Sequence, residues 1–182
     1  MNTDEPRTLR YLKLHPKVAD LALATQESAC FDLRAFFHPN LSKIEGFNAD
    51  SFKISNPVSR MVGKADADRV VVINPGERMM VPTGIIFDIP KGYSVRIHAR
   101  SGLALKAGLV MANSEGIIDS DYTDETKIIV LNISNIPIRI NHGDRIAQAE
   151  MVPVLNYNLV PTTEDITQKT NRAGGFGSTG VS

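Results

Sequence analysis

Apolar and polar residues that alternate with a period of two restrict most strongly how this chain can fold. In residues 93–100, each apolar side chain is followed by a polar one, which is typical of a half-buried β-strand. Residues 127–134 are rich in β-branched side chains and apolar on both faces, which predicts a central strand. Further short strands are predicted at residues 70–73, 79–89, 136–140 and 146–154. Turn signals of Gly, Pro, Asn and Asp separate them, at residues 74–76, 90–92 and 141–144.

A single short helix is predicted, over residues 101–107 with Ser101 as its N-cap. Many short strands with regular turns and almost no helical periodicity indicate an all-β sandwich or barrel. The pattern defines this class but leaves the order of the strands open.

Length and charge narrow the classes of function. The 182 residues suit one domain spanning 1–182, and 20 Lys and Arg balance 20 Asp and Glu, so no direct nucleic-acid binding and no membrane association are expected. The polar, acidic N-terminus does not resemble a signal peptide, and the single cysteine excludes an intrachain disulfide framework. We therefore expect a cytoplasmic location.

Two segments depart from the strand pattern. Residues 37–68 have weak patterning and are expected to form an inserted arm or a long loop. Residues 161–182 are polar and end in a glycine-rich run, whose backbone entropy cost is too high for a core of its own. We expect this C-terminal arm to be either disordered or ordered by a ligand.

Three stretches carry candidate chemistry. Residues 99–104 place an arginine, a serine and a glycine where a strand gives way to a helical turn, which suits a phosphate site and equally suits a capped turn. In residues 113–122, two isoleucines lead into Asp119 and Asp121, which would share a face of a strand; they could hold a metal, supply a general base or lie in a solvated turn. The tail offers flexible N–H donors, two hydroxyls and Phe176, which suit a nucleotide.

In their order along the chain, five stretches resemble the motifs of the trimeric dUTPase family. They are residues 29–35, 100–104, 116–122, 143–148 and 174–180. The resemblance implies a dUTPase-like jelly roll, a homotrimer whose C-terminal arm is exchanged between subunits, and active sites shared between subunits. The implied ligands are dUTP and dUMP, and the implied reaction is hydrolysis of dUTP to dUMP and pyrophosphate, which keeps uracil out of DNA and supplies dUMP for dTMP synthesis.

The resemblance also implies roles for individual residues. Asp119 would activate water for attack on the α-phosphorus, with Mg²⁺ on the triphosphate and Asp32 contacting that ion only through water. The residues implied to bind phosphates are Arg100, Ser101, Gly102, Gln148, Arg172, Ser178 and Thr179. The residues implied to bind the nucleoside or line its pocket are Asn113, Gly116, Ile117, Ile118, Asp121, Tyr122, Lys127, Phe176 and Gly177.

Base and sugar selection follow from the same resemblance. The amide of Asn113 and nearby backbone groups would complement the pairing edge of uracil and leave cytosine with unpaired groups. Tyr122 would pack under the deoxyribose and exclude a 2′-hydroxyl. The chain departs from the family pattern at Glu115, where a proline is frequent, at residues 123–124, and in the short spacing between Arg172 and Gly174.

Two alternatives stay open on the sequence. One is a dCTP deaminase or bifunctional deaminase of the same fold, which shares features of the second and third motifs but lacks the glycine-rich arm. The other is a regulatory protein that uses a dUTPase scaffold and binds a protein partner through residues 37–68.

Overall fold

The computed structural model describes residues 7–60 and 69–171. Within them the chain forms fourteen strands and one short helix, α1. Their bounds are β1 Arg10–Lys13, β2 Phe31–Arg34, β3 Lys43–Phe47, β4 Lys53–Pro57, β5 Ser59–Arg60, β6 Arg69–Ile73, β7 Arg78–Pro82, β8 Ile85–Asp88, β9 Tyr93–His98, α1 Ser101–Ala107, β10 Leu109–Met111, β11 Glu115–Ile118, β12 Lys127–Asn132, β13 Ile138–Asn141 and β14 Arg145–Pro153. The predicted all-β class is confirmed.

Four antiparallel sheets make up the described part of the fold. Their strand orders are β10-β12-β7-β3-β4, β11-β9-β14-β2, β13-β6-β5 and β1-β8. None of the helices in residues 7–60 and 69–171 is long and apolar enough to cross a membrane.

The core lies between the inner faces of these sheets. Because neighbouring strand residues point to opposite faces, each strand contributes every second side chain to the core. In β9, Val95 and Ile97 are almost fully buried, and Ile128 and Val130 of β12 alternate with exposed neighbours. β12 is an inner strand of its sheet, as predicted, but one of its faces is open to solvent in the single chain, where Ile129 is 40% exposed.

One predicted strand is divided. The sequence suggested a continuous strand over 79–89, whereas β7 ends at Pro82 and β8 begins at Ile85. Gly84 between them has a φ of 70°, a left-handed conformation that favours glycine, and a Cβ there would meet Val18 and the ring of Phe36 within 3 Å. The chain turns at this point, so β8 pairs with β1 instead of continuing the larger sheet.

The segment 37–68 was predicted to be an inserted arm or a long loop. Its described part, residues 37–60, contains a hairpin instead of a continuous loop. β3 and β4 pair with each other, and β3 also pairs with β7. Ile44 and Val58 are buried in the common core. At Gly46 any Cβ would overlap the carbonyl group of Arg78, so only glycine allows β3 to lie this close to β7. Whether 37–68 is an insertion remains a prediction.

A buried carboxylate joins this hairpin to the rest of the fold. Glu77 accepts hydrogen bonds from Asn56 Nδ2 on β4 at 2.7 Å and from the backbone N–H of Asn74 at 2.8 Å. Asn56 Nδ2 also donates to the carbonyl oxygen of Val72 on β6. Burial alone would raise the pKa of Glu77, but the hydrogen bonds from Asn74 and Asn56 outweigh it and lower that pKa.

Residues 154–171 extend from the end of β14 as exposed chain without regular secondary structure. Large apolar side chains in it lie almost entirely in solvent, including Leu155 at 83%, Leu159 at 89% and Ile166 at 81% exposure. In the single chain this segment therefore contributes little to the core.

Candidate active site

The sheet β11-β9-β14-β2 contains residues from three of the five motifs, and a fourth motif begins just beyond its strand β9. Gln148 on β14 lies across from His98 on β9 and, on its other side, across from Asp32 on β2. Arg100 lies two residues after the end of β9. Antiparallel pairing therefore brings together residues that are more than 100 positions apart in the sequence, such as Asp32 and Gln148.

Asp32 is the centre of an ion-pair group that we name the Asp32 cluster: Asp32, Arg100, Arg145 and Gln148. Its carboxylate accepts from Arg100 Nε at 3.0 Å and from Arg145 Nη1 at 3.1 Å. Arg100 Nη1 also donates to the carbonyl oxygen of Arg145 at 3.0 Å, and Gln148 Nε2 donates to that of Ala99 at 3.1 Å. Two guanidinium groups against one carboxylate leave a local excess of positive charge, which suits an anionic ligand.

The helix α1 begins beside this cluster. The structure confirms a helix over residues 101–107, but the predicted N-cap is wrong by one position: Arg100, with extended dihedral angles, precedes the helix and makes no side-chain cap hydrogen bond. Ser101 and Gly102 are exposed in the first turn, and a Cβ on Gly102 would meet nothing within 4 Å. A ligand therefore has open access to the backbone at Gly102.

A second group lies around β11, and we name it the β11 cluster: Asn113, Gly116, Ile117, Ile118, Asp119, Asp121, Tyr122 and Lys127. β11 is the edge strand of its sheet and pairs only with β9 among the described strands. Gly116 is buried against β9, where a Cβ would come within 3.2 Å of Ile97. The turn at residues 112–114 precedes β11 and exposes Asn113.

The two acids of this cluster lie in a turn and not on a strand. β11 ends at Ile118, and the backbone N–H of Tyr122 donates to the carbonyl oxygen of Asp119 at 3.2 Å. The expectation that Asp119 and Asp121 share one face of a strand is therefore wrong, because the chain bends at Asp119. Both side chains are exposed, and Tyr122 is 41% exposed.

The two clusters border different pockets. Ile118, Tyr122 and Lys127 line one pocket together with Met80 and Ile129. Arg100 and Arg145 line another, with a floor of apolar side chains from α1 and β13. The first has the apolar wall and aromatic ring that suit a nucleoside, and the second has the cationic rim that suits phosphate.

The register of the sheet separates Asp119 from the Asp32 cluster within one chain. Ile118 lies across from Val95, so Asp119 follows at the Ser94 end of β9, while Arg100 lies beyond its other end. Six residues of extended chain between positions 94 and 100 span about 20 Å. A carboxylate that activates water at a phosphorus atom must lie within a few ångströms of it, so Asp119 and the Asp32 cluster of one chain do not meet at one phosphate.

Arg145 belongs to the Asp32 cluster, although the fourth motif taken alone indicates a structural ion pair of Arg145 with Asp144. Asp144 does have a structural role, since its carboxylate accepts from the backbone N–H of Asn141 at 2.7 Å. Arg145 instead reaches across the sheet to Asp32. Its position in the fourth motif was the available signal, but its partner lies 113 positions earlier in the chain.

Five predicted site residues lie outside the described residues. They are Arg172, Phe176, Gly177, Ser178 and Thr179.

The described residues do not form a metal site built from protein ligands. Residues 7–60 and 69–171 contain no group of three or more His, Cys, Asp or Glu side chains arranged to hold a metal ion. Both carboxylate oxygens of Asp32 already accept from arginines. The arrangement fits a cation whose ligands are mainly phosphate oxygens and water, with Asp32 as an acceptor for such a water.

The fold is antiparallel and all-β, and it carries an arginine-rich cluster and a separate apolar and aromatic pocket. Together these features define a class of protein that binds small phosphorylated ligands. The dUTPase family model matches residues 66–180. The chain is 40% identical over 144 residues to the deoxyuridine 5′-triphosphate nucleotidohydrolase of Bdellovibrio bacteriovorus, covering 79% of this chain and 90% of that protein. It is 48% identical over 114 residues to the protein of the same name from Hydrogenobaculum sp., covering 63% and 78%. The chain belongs to the dUTPase family.

Solved structures of similar fold include dUTPases of staphylococcal phages. A dUTPase mutant of Staphylococcus bacteriophage 80alpha with dUpNHpp aligns with a TM-score of 0.70 at 22% identity, covering 97% of this chain and all of that one. A mutant dUTPase of phage phi11 of S. aureus, described with a structural Mg(II) ion, aligns with a TM-score of 0.62 at 20% identity over 87% of this chain and 98% of that one. At this identity the likeness concerns the fold.

Proposed function

We propose that the protein is a hydrolase that converts dUTP and water to dUMP and pyrophosphate. Family membership supports this, and the structural observation that carries it is the placement of Asp119 at the exposed end of edge strand β11, beside the pocket lined by Tyr122. The carboxylate of Asp119 takes a proton from water as the water oxygen bonds to the α-phosphorus. The bond from that phosphorus to the bridging oxygen breaks, and pyrophosphate leaves.

The active site of the proposed enzyme is shared between copies of the chain. The separation of about 20 Å along β9 places Asp119 too far from the Asp32 cluster of its own chain. We assign the β11 cluster of one subunit to the nucleoside and the Asp32 cluster of a neighbour, with Ser101 and Gly102, to the phosphates. A homotrimer satisfies this requirement three times by symmetry. The C-terminal arm of the trimer would bring Arg172, Phe176, Gly177, Ser178 and Thr179 to the substrate.

The free edge of β11 supplies a physical basis for reading uracil. Alternate residues of an edge strand direct their N–H and C=O groups outward, where a ligand can pair with them. The pairing edge of uracil presents an acceptor, a donor and an acceptor, which such a strand and the amide of Asn113 complement. Cytosine inverts two of these positions and leaves polar groups unpaired. Tyr122 supports the deoxyribose from the same pocket.

Mg²⁺ is the cofactor of this proposal. Of the described residues, Asp32 fits the ion, and it would do so through a water molecule, because both of its carboxylate oxygens already accept from Arg100 and Arg145. When bound to the triphosphate, Mg²⁺ neutralises charge that develops during the displacement. Arg100 and Arg145 hold the orientation of Asp32, and Gln148 and the exposed first turn of α1 orient the phosphate oxygens.

A product assay tests the proposal. Protein with Mg²⁺ is incubated separately with dUTP, dCTP and dTTP, and pyrophosphate and ammonia are measured. Pyrophosphate from dUTP alone is expected. Ammonia from dCTP would instead identify a deaminase of the same fold, and the absence of turnover with all three would favour the regulatory scaffold.

The cytoplasmic location and a protein partner for residues 37–68 remain predictions. Phe52, which is 68% exposed at the tip of the β3–β4 hairpin, supports such a contact surface. A truncation of the tip that leaves dUTP turnover unchanged but abolishes binding to a partner would test it.

A further inference from the structure

The geometry points to Glu115 as a positioning residue for the turn that presents Asn113, and this inference rests on the proposed reading of uracil by that turn. Glu115 is the first residue of β11 and follows the turn at residues 112–114 directly. Its carboxylate lies 3.1 Å from Arg96 Nη1 and 3.8 Å from His98 Nδ1 on β9. We propose that this pair of contacts holds the base-reading turn in register with the sheet.

The turn has few other attachments. The backbone N–H of Ser114 donates to the carbonyl oxygen of Met111 at 3.3 Å, and that of Glu115 donates to the carbonyl oxygen of Asn113 at 2.6 Å. Both bonds are local, whereas the backbone N–H of Ala112, the first residue of the turn, donates to the carbonyl oxygen of Ile129 on β12 at 2.9 Å. Ser114 adopts a φ of 58°, a left-handed conformation that costs a residue with a side chain about 1 kcal/mol. The contacts of Glu115 add a second attachment, on the side of the turn that leads into β11.

The anchor on β9 is itself fixed. Arg96 Nε donates to Ser94 Oγ at 3.3 Å, and Ser94 is buried. His98 Nε2 lies 3.2 Å from Glu150 on β14, so the contacts of Glu115 extend over three strands. Glu115 also lies directly across from His98 in the strand pairing, the position where cross-strand side chains interact most strongly.

The same face of the sheet continues to the Asp32 cluster. Glu115, His98, Gln148 and Asp32 are successive cross-strand partners on β11, β9, β14 and β2. The turn is therefore connected through cross-strand pairs to the Asp32 cluster. Because β11 has a backbone partner among the described strands on one side only, side-chain contacts across that side contribute to the position of Asn113.

Steady-state kinetics on Glu115→Ala tests the inference. The side chains of Arg96 and Glu115 are 29% and 42% exposed, so their ion pair is partly screened by solvent. We expect its removal to weaken binding by about 1 kcal/mol, which corresponds to about a fivefold change. We expect KM for dUTP to rise about fivefold, kcat to stay within about twofold, and the preference for dUTP over dCTP in kcat/KM to fall about fivefold. Arg96→Met should reproduce this effect, and the double variant should be no worse than either single variant.

Asp88→Asn is the matched control, because it breaks the ion pair of Asp88 with Arg10 outside the site. It should leave KM and base preference unchanged. A wild-type protein that does not hydrolyse dUTP refutes the proposed function itself. If the wild type is active but Glu115→Ala has unchanged KM and base preference, the positioning role is refuted. A loss in Glu115→Ala that is confined to kcat also refutes it, as do additive losses in the double variant.

Discussion

The Asp32 cluster and the β11 cluster differ in how completely a single chain builds them. Asp32, Arg100 and Arg145 are joined by three contacts of 3.0–3.1 Å, and Asp32 and Arg100 are partly buried. Asp119, Asp121 and Tyr122 lie in an exposed turn beside a pocket open to solvent. The phosphate side is thus preorganised within the chain, while the nucleoside side offers a strand edge and a turn that require a second surface.

This difference indicates how catalytic effort is divided in the proposed enzyme. Preorganised charges orient the triphosphate without cost at the moment of reaction. The exposed acid at position 119 gains its effect only when a neighbouring chain brings phosphate to it. Substitutions in the two clusters should therefore affect different kinetic constants.

The largest effect is expected for Asp119→Asn. The amide keeps the size of the side chain but accepts no proton from water, so kcat should fall by about 1,000-fold. Affinity for dUpNHpp should stay within about threefold of the wild type, because the nucleoside and phosphate contacts remain. Single-turnover kinetics and calorimetry measure both quantities, and wild-type turnover by this variant would reject the general-base role.

A smaller effect on a different constant is expected for Asp32→Ala. Arg100 and Arg145 then lack their common carboxylate, and the water site for Mg²⁺ is lost, so KM for Mg·dUTP should rise about tenfold. Affinity for deoxyuridine, which has no phosphate, should not change. Asp20→Asn, which breaks the 2.9 Å pair with Lys13, is the control. Equal losses for deoxyuridine and dUTP would contradict the division into two clusters.

Acid should lower the stability of the fold through His142, in the turn before Arg145. The pKa of His142 is lowered from its usual 6.5, mainly by burial and then by the charges of Arg69, Lys17 and His15. The neutral ring accepts a hydrogen bond at Nδ1 from the backbone N–H of Phe37 at 3.0 Å. The unfolded chain then binds a proton more readily than the native one, so the stability from neutral His142 is complete above about pH 6.5 and is lost as pH falls toward the lowered pKa.

His142→Asn tests this expectation, since Asn Oδ1 replaces the Nδ1 acceptor without titrating. Between pH 7.5 and 5.5 the wild-type Tm should fall about 2 °C more than that of the variant, a modest figure because the side chain is only partly buried. Differential scanning calorimetry at several pH values measures the difference. Parallel pH profiles for the two proteins would remove His142 from the account.

The smallest effect is expected for Lys127→Ala on the nucleoside side. Lys127 is exposed at the start of β12, and its nearest acid, Glu125, lies 3.9 Å away, so no strong ion pair holds it. KM for dUTP should rise by less than about threefold with kcat unchanged. A tenfold change would show that Lys127 contacts substrate directly.

The sequence predicted the elements whose pattern is local. The alternation in β9 reflects burial of Val95 and Ile97 and was sufficient to locate that strand. The bend at Gly84 and the turn at Asp119 were missed, because the first depends on contact with Phe36 and the second on a backbone hydrogen bond to Tyr122. The β3–β4 hairpin shows only weak apolar alternation in its sequence. It is held mainly by contacts with residues distant in the chain, namely the hydrogen bond to Glu77 and the close approach of β7 at Gly46.

The site shows the same limit. Motif order was enough to propose Asp32, Arg100 and Gln148 together, but the ion pair of Asp32 with Arg145 depends on the register of β2 and β14. A β-bulge between Arg145 and Ala147 on β14 shifts that register locally. Such a shift leaves no periodic signal in the sequence.

Mixed oligomers provide the most direct test of a site shared between chains. Two variants, each nearly inactive alone, are co-expressed with different affinity tags, and doubly tagged oligomers are isolated. One variant carries Asp119→Asn, and the other carries both Asp32→Ala and Arg100→Ala. Every doubly tagged trimer has one interface of three that combines an intact β11 cluster with an intact Asp32 cluster, so dUTP turnover should recover to about a third of the wild-type value. Doubly tagged oligomers that remain as inactive as the parent variants would contradict the shared site.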